Sequence, residues 1–518
     1  MTRNSNTSIS DLPDYEPVTR PHRSSVDDAR GPNGVSPSGG LHVEQRFSEE
    51  APQDIGPSDR DKDWQKESKL RAEALPAYPE HPWEQWILRR GHAISFAGVF
   101  LFTVVLYFRP YELFGAAWLL SSAFWIATAT LLIFVPSQLM LENRITARPR
   151  EVNLLLVFLI IALLSIVFAI SPGDGWDLLS GTFIKVVVMF IVMVNVVRTE
   201  KRLKSLIWLG LAVAIYLSWK AIGDFRSGNL TVEGYRIEGQ IGGLFDNPND
   251  LALYLATMIP IAVALTFSER GLKKLLYLSC AALMAGAITV TYSRSGFLGF
   301  FCGLAVLVWK LGRRNRVIVT VGSVIFGTMF ILLAPGNYGA RILSSFGLMP
   351  DASGSFTTRN DLLWRSLAVA LRHPLLGIGM GNLPIVSIHD QVSHNAYTQV
   401  AAEMGFVALI IYLMFMIIPL RRLRQIERET FQTGAHRKFF YLAVGIQASL
   451  IAYMVSSFFA SVAYLWNVYY LIAYAVCLRR IYYVEVIAKE NNRLQTAPSA
   501  GVTKNKVANE VTSLPLSP

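Results

Sequence analysis

Three arginines and a histidine stand where long apolar runs give way to polar loops: Arg236 in EGYRIEGQIGGLFDNPNDLA, Arg294 in TYSRSG, Arg359 in TTRNDLLW and His394 in SHNAYTQVAAEMG. An arginine is permanently cationic and presents paired donors in one plane. Two of them beside a helix N-terminus therefore suit a diphosphate. A histidine with an ordinary pKa of about 6.5 can accept a proton at neutral pH. Each type also has a plainer use: an arginine as an interfacial anchor or headgroup contact, a histidine as a satisfied structural group. His373 and His389 compete with His394 in the same loop, and Asp390, four residues before His394, would orient it if the segment were helical.

Other candidates are weaker by chemistry. Lys185 falls near the middle of an apolar run, where an ionised side chain is costly and is usually paired or functional. It would reach an anionic ligand or pair with a carboxylate such as Glu403. Gly377, Gly379 and Gly381 mimic a nucleotide loop only superficially, since no strand precedes them and no Walker lysine follows. No metal is expected: HExxH and clustered histidines are missing, and the Asp-x-Asp pattern at Asp61 and Asp63 lies in a polar tail. Cys280, Cys302 and Cys477 sit in apolar runs without metal or redox spacing and read as small core hydrophobes.

The elements that must position these residues follow from composition. Of 518 residues 52% are hydrophobic and 16% charged, where water-soluble domains run to about a quarter charged. That excludes an ordinary cytosolic enzyme. Of the 48 Lys and Arg and 37 Asp and Glu, 12 and 16 fall in residues 1–93, leaving 36 against 21 in the apolar remainder. The basic residues there alternate with apolar runs, which is the pattern of a polytopic membrane protein and not of a nucleic-acid binder. Residues 1–92 and 483–518 read as disordered cytoplasmic tails, with 64–90 more helix-friendly and Trp83, Trp86, Arg89 and Arg90 suited to a membrane surface.

Between the tails, runs of about the ~20 residues that cross hydrocarbon predict about twelve spans. They cover 93–108, 113–137, 152–171, 177–197, 203–222, 250–267, 273–291, 296–311, 316–335, 396–420, 439–458 and 463–482. Nine lie within 93–335 and three within 396–482. Alternate connections hold clusters such as Arg144, Arg148 and Arg150 or Arg421, Arg422 and Arg424, whereas the intervening SPGDGWD turn is purely acidic. The basic connections and both termini are therefore expected in the cytoplasm. The long connections 223–249 and 336–395 fall on the other side, where long loops carry function. Within the second, RNDLLWRSLAVALRH has helical spacing of its apolar residues.

YFRPYELF at 107–114, GGLFDNPNDLALYLA at 242–256, TYSRSGFLGF at 291–300, RNDLLWRSLAVALRHPLLGIGMGN at 359–382 and HNAYTQVAAEMGFVALIIYL at 394–413 occur in that order. Together they resemble the O-antigen ligase and polymerase superfamily. The resemblance covers roughly residues 90–480 and is most specific over 236–413; the long amino-terminal tail departs from the family pattern. It implies an all-α, GT-C-like membrane glycosyltransferase in a bacterial inner membrane, with its active site facing the periplasm. The implied donor is a glycan on undecaprenyl diphosphate, and the implied acceptor is a growing glycan, lipid A core or protein.

By the same resemblance, Arg236 and Arg294 would bind the donor diphosphate and His394 would activate the acceptor hydroxyl. Arg359, Asn395 and Lys185 are further candidates for substrate contact. Such enzymes are metal-independent and inverting, and need no cofactor. The chemistry is coherent: outside the cytoplasm no nucleotide sugars are available, so the sugar arrives already activated on a lipid diphosphate. A transporter of a small anion or of a lipid-linked glycan is the competing expectation, although no repeat relates the two halves of the sequence.

Overall fold

The computed structural model describes residues 82–113, 121–230, 232, 234–239, 244–313, 355–387, 391–434 and 436–488, with isolated positions between 316 and 324. The unit from residue 79 to 482 is described below; beyond it, Tyr483–Ala488 forms a π-helical turn. The described residues are predominantly helical and contain no strand, only an isolated antiparallel bridge between Val232 and Arg236.

Ten helices among the described residues are long and apolar enough to cross a membrane. They are α1 (Pro82–Phe108, of which Arg90–Phe108 is the apolar part), α2 (Ser122–Glu142), α3 (Arg150–Val167), α4 (Pro172–Val196), α5 (Glu200–Arg226), α6 (Pro248–Ser268), α7 (Leu272–Val290) and α8 (Arg294–Gly312). After a surface helix, α9 (Ser355–Arg372), come α10 (Ala396–Thr433) and α11 (Arg437–Ser456), the latter prolonged by a 3₁₀ turn to Phe459. The expected run 463–482 is a 17-residue helix, α12 (Trp466–Tyr482), buried along nearly all its length. The expected span 316–335, apart from isolated positions up to 324, and the first part of the 336–395 loop lie outside the described residues, as do both expected tails apart from their edges. The first helix begins at Pro82, inside the stretch expected as tail. This is an all-α polytopic membrane protein.

Many exposed residues of α2, α3 and α7 are large and apolar, among them Trp125, Leu132, Ile160, Val167, Leu272 and Leu275. A surface of that kind is stable against lipid and not against water. With lipid outside, apolar burial does not drive the helices together, so close contact between small residues does. A Cβ at Gly299 of α8 would fall 1.8 Å from Ser456 Oγ of α11, so glycine there sets how nearly the two backbones approach. The central helix is α6, buried on nearly all sides between α5, α7, α8 and α11.

α10 is broken at Gly405, whose φ is 85°. The freed groups are met by residues 374–379: Ile378 N donates to Ala402 O at 3.0 Å, Gly379 N to Glu403 O at 3.0 Å, and Phe406 N to Pro374 O at 2.9 Å. Every such group inside an apolar bundle needs a partner, so the break persists because the loop supplies them. The short first part of α10 is thereby held against the surface helix α9 through Ala370, Ile378, Leu383, Ala401 and Ala402.

At the opposite end of the helices the basic residues are largely paired. Arg479 donates to both oxygens of the fully buried Glu151, at 2.7 and 3.0 Å. Glu142 receives Arg198 at 2.7 Å and Arg480 at 3.3 Å, while Lys310 meets Glu427 and Gln447.

A methyl group at Gly405 would lie 2.2 Å from Leu375 O in a backbone conformation that non-glycine residues avoid. Gly405→Ala is therefore expected to destabilise the protein by at least about 2 kcal/mol. The unfolding temperature in detergent measures this, and an unchanged value would refute the assignment of the break to glycine.

Candidate functional site

Three helices begin at one end of the bundle with side-chain caps. Asn247 caps α6, its Oδ1 accepting from Asn249 N at 2.8 Å, and Pro248 follows at the first helical position, where its missing N–H costs nothing. Ser293 caps α8, its Oγ accepting from Gly296 N at 3.2 Å. Asn395 caps α10, its Oδ1 accepting from Tyr397 N at 2.9 Å and Thr398 N at 3.0 Å. Asn-Pro-Asn, Ser-Arg-Ser-Gly and His-Asn-Ala are thus helix starts, each a source of partial positive charge.

Arg236 ties two of these starts together. It ends a tight turn closed by paired backbone bonds with Val232, at 2.9 and 3.1 Å. Its guanidinium is buried, with Nε donating to Thr291 O at 3.1 Å and Nη2 to Asn249 Oδ1 at 3.1 Å. The same oxygen of Asn249 accepts from Ser293 Oγ at 2.8 Å. A loop arginine, the first turn of α6 and the cap of α8 therefore form one connected unit.

Above this unit lies a cavity of about 430 Å³ lined by Val232, Arg236, Glu238, Asp246, Asn247, Pro248, Asn249, Thr358, Arg359, Gln391 and His394. Its size is that of a small-molecule site. Arg236 arrives from the loop before α6, Arg359 from the start of α9, and His394 from the residue preceding the cap of α10. Three of the residues expected from sequence thus converge, from distant segments. His394 has φ 50° and is half-buried, and Tyr292 beside Arg294 has the same φ. Left-handed backbone at non-glycine residues is costly and concentrates at functional sites. Burial, reinforced by the neighbouring Arg359, holds the His394 imidazole down at about 4, so it is neutral at pH 7 and free to accept a proton.

The remaining expectations separate. Arg294 begins α8, directly after the Ser293 cap, and is not among the lining residues. Asn395 is buried behind His394 with its oxygen committed to capping. Lys185 does not join the site: it is exposed on α4, two residues past a π-helical turn, Leu179–Phe183. The carboxylate considered as its partner, Glu403, is buried and accepts from Tyr464 Oη at 2.7 Å. Asp390 and His389 lie outside the described residues. His373 is exposed just past the C-terminus of α9 and does not line the cavity.

Sequence reasoning missed Asn249, Thr291 and Ser293, which hold Arg236, and Glu238, Asp246, Thr358 and Gln391, which complete the lining. The Asn-Pro-Asn run carried a readable signal, because proline flanked by asparagines marks a capped helix start. No group of three or more metal-ligating side chains occurs among the described residues.

Two guanidiniums and a helix start beside a neutral imidazole can bind a diphosphate and remove a proton next to it. Residues 279–413 match the O-antigen ligase family model, Wzy_C. The matched segment includes Arg294, Arg359, His394 and Asn395, while Arg236 and Asn249 precede it. No curated protein matches the chain. Together with the bundle of apolar helices, the match supports an O-antigen ligase or polymerase type of membrane enzyme.

Inorganic diphosphate is expected to raise the unfolding temperature of the wild type and to have no such effect on Arg236→Ala. Removing its support in Asn249→Ala should weaken the apparent affinity about tenfold, the consequence of losing one charge-assisted hydrogen bond. An Asn249→Ala variant that binds diphosphate as wild type does would disprove the positioning role.

Proposed function

We propose that this protein is a metal-independent, inverting membrane glycosyltransferase. It would transfer a glycan from polyprenyl diphosphate, undecaprenyl diphosphate in bacteria, to an acceptor hydroxyl, as an O-antigen ligase or an O-antigen or exopolysaccharide polymerase. The observation that carries this reading is the meeting of Arg236, Arg359 and His394 in one cavity. The family match supports it independently. The cationic connections Arg144–Arg150 and Arg421–Arg424 support an orientation that puts this cavity on the periplasmic side of the inner membrane.

In the proposed reaction His394 takes the proton from the acceptor hydroxyl as its oxygen attacks the anomeric carbon. The bond from that carbon to the diphosphate oxygen breaks, and the electron pair leaves with the diphosphate. The charge that develops there is met by Arg236 and Arg359, which are already oriented by the fold, together with the start of α6. Arg294, at the start of α8, is assigned to the same diphosphate through the family pattern. A base held at about 4 is weak before substrate binds. A bound diphosphate offsets the repulsion from Arg359, so the imidazole becomes more basic when the donor is in place. Attack from the face opposite the leaving group inverts the anomeric configuration without a covalent intermediate.

His394→Ala and Arg236→Ala should each abolish transfer, by about a hundredfold or more, while the protein still inserts and folds. The check is a gel of surface polysaccharide from complemented deletion cells. Full-length attached polymer with both variants would overturn the assignment. Accumulated lipid-linked polymer would mark a ligase, and single repeat units a polymerase.

Acid inactivation provides a second check, since the base must be neutral to act. The free-enzyme limb in kcat/KM should fall as pH drops through about 4. Arg359→Gln removes a cation that disfavours imidazolium, so the limb should move upward, toward about 6.5. A limb that stays in place, or moves down, would show that Arg359 does not act on His394.

A further inference from the structure

The surface helix α9 presents an outward face that changes character along its length. Leu362, Ser366 and Ala370 are buried one turn apart and fix which side of the helix meets the protein. On the opposite side the first turns carry Thr357, Asn360 and Asp361, all exposed, and the later turns carry Trp364, Ala368 and Leu371. Trp364 is 62% exposed and Leu371 64%, while Leu375, just past the end of the helix, is 74% exposed. Positions 364, 368 and 371 share one face by helical spacing, and Leu375 prolongs it. Large apolar side chains left outward in a row mark a surface that meets something other than water.

What covers this stripe follows from its neighbours. The loop after α9 is bonded to the chain just past the end of α3, Ile170 N donating to Ile378 O at 3.1 Å, where Val167, Phe168 and Ile170 are exposed. The backbone of Leu375 also lies against the Gly405 break of α10, which is followed at once by the exposed Val407 and Ile410. These are surfaces that two spanning helices turn to lipid. The stripe therefore continues a hydrocarbon-facing belt and is not an island among polar loops. A second copy docked on it would have to displace lipid from α3 and α10 as well. Tryptophan concentrates at the level where hydrocarbon gives way to headgroups, and Trp364 stands where the face turns from polar to apolar. Arg372, exposed beside the stripe, is long enough to lay its stem on an apolar surface and keep its charge among headgroups.

We infer that α9 is an interfacial helix whose partner is the bilayer itself: from Trp364 to Leu375 its outer face lies in the acyl edge of the leaflet on the cavity side, and its first turn stands in water. Thr358 and Arg359 of that first turn line the cavity. Trp364 follows Arg359 by five positions, about 8 Å along the helix axis. The cavity is thereby held at headgroup height. In the glycosyltransferase reading, a lipid diphosphate meets Arg359 at that height with its hydrocarbon chain still in the bilayer; the anchoring itself does not rest on that reading.

The full chain, carrying Cys280→Ala, Cys302→Ala and Cys477→Ala, is placed in lipid nanodiscs with a thiol-linked fluorophore at Leu371→Cys, Leu375→Cys or Asp361→Cys. Lipids with a nitroxide near the carboxyl end of the acyl chain quench from the hydrocarbon edge, and iodide quenches from water. The expected result is lipid quenching several-fold stronger than iodide quenching at 371 and 375, and the reverse at 361. Iodide quenching at 371 and 375 equal to that at 361 would overturn the inference in favour of a water-facing helix. Shielding from both quenchers would overturn it in favour of a protein occupant, another segment of the chain or a second copy. Where the cysteine-free chain folds poorly, Trp364→Phe in the otherwise native chain gives the answer from tryptophan emission in brominated lipid: loss of a lipid-quenched component is expected, and loss of an iodide-quenched component alone would overturn the inference. Neither readout involves glycan transfer, so failure of the anchoring and failure of the transferase reading are told apart.

Discussion

A buried guanidinium bonded to Asn249 and Thr291 is the contact on which the rest of the site depends. Arg236 comes from a loop, Asn249 from the first turn of α6, and Ser293 from the cap of α8, and one asparagine oxygen joins the last to the first. An arginine cannot lose its proton to escape burial, so it must be satisfied by oxygens, and the geometry of those oxygens fixes two helix ends relative to each other. The cavity is the space left above that arrangement. Its lining sets Arg236 and Arg359 beside the carboxylates Glu238 and Asp246, with the capped start of α6 in the same wall.

The break in α10 supplies the other half. A continuous helix from Ala396 to Thr433 would aim its first turn along the bundle axis. The left-handed residue at Gly405 turns it, and the loop 374–379 satisfies the carbonyls left open. That same loop ends α9, the helix that starts with Arg359 nearby in sequence. Helix α9 and the first turn of α10 are therefore placed by one set of backbone bonds, which brings Arg359 to the histidine. The outcome is an imidazole kept neutral by burial and a nearby positive charge, in strained backbone, at the cavity wall.

The cationic excess has a second meaning at the other end of the molecule. Arg198, Arg479, Arg480 and Lys310 belong to the cationic excess of the apolar part of the chain. In the structure they are pinned to Glu142, Glu151 and Glu427, several of them nearly fully buried. Burying such pairs is compensated only when hydrogen bonds complete them, as the paired bonds from Arg479 to Glu151 do. These contacts link α12 to α2 and α3, the connection after α4 to α2, and α8 to α10, and so act as clasps between helices at the end away from the cavity.

The amino-acid sequence by itself determined the all-α membrane class and most of the helix positions, and it offered Arg236, Arg294, Arg359, His394, Asn395 and Lys185 as candidates, of which Arg236, Arg359 and His394 line one cavity. It could do so because hydrocarbon thickness dictates run length, and because arginine and histidine announce their chemistry by type. The convergence of those residues, the exclusion of Lys185 and the bonding of Asn249 to Arg236 were decided only by the tertiary structure. Lys185 is exposed on α4 and outside the cavity lining; a mid-span charge signals its cost but not which face of the helix carries it. Asn249 was hidden because an asparagine after Asn-Pro looks like a helix start, and nothing local reveals that its oxygen is shared with an arginine 13 residues earlier and a serine 44 residues later. Such pairings depend on helix packing, which small residues such as Gly299 permit but which no spacing along the chain encodes.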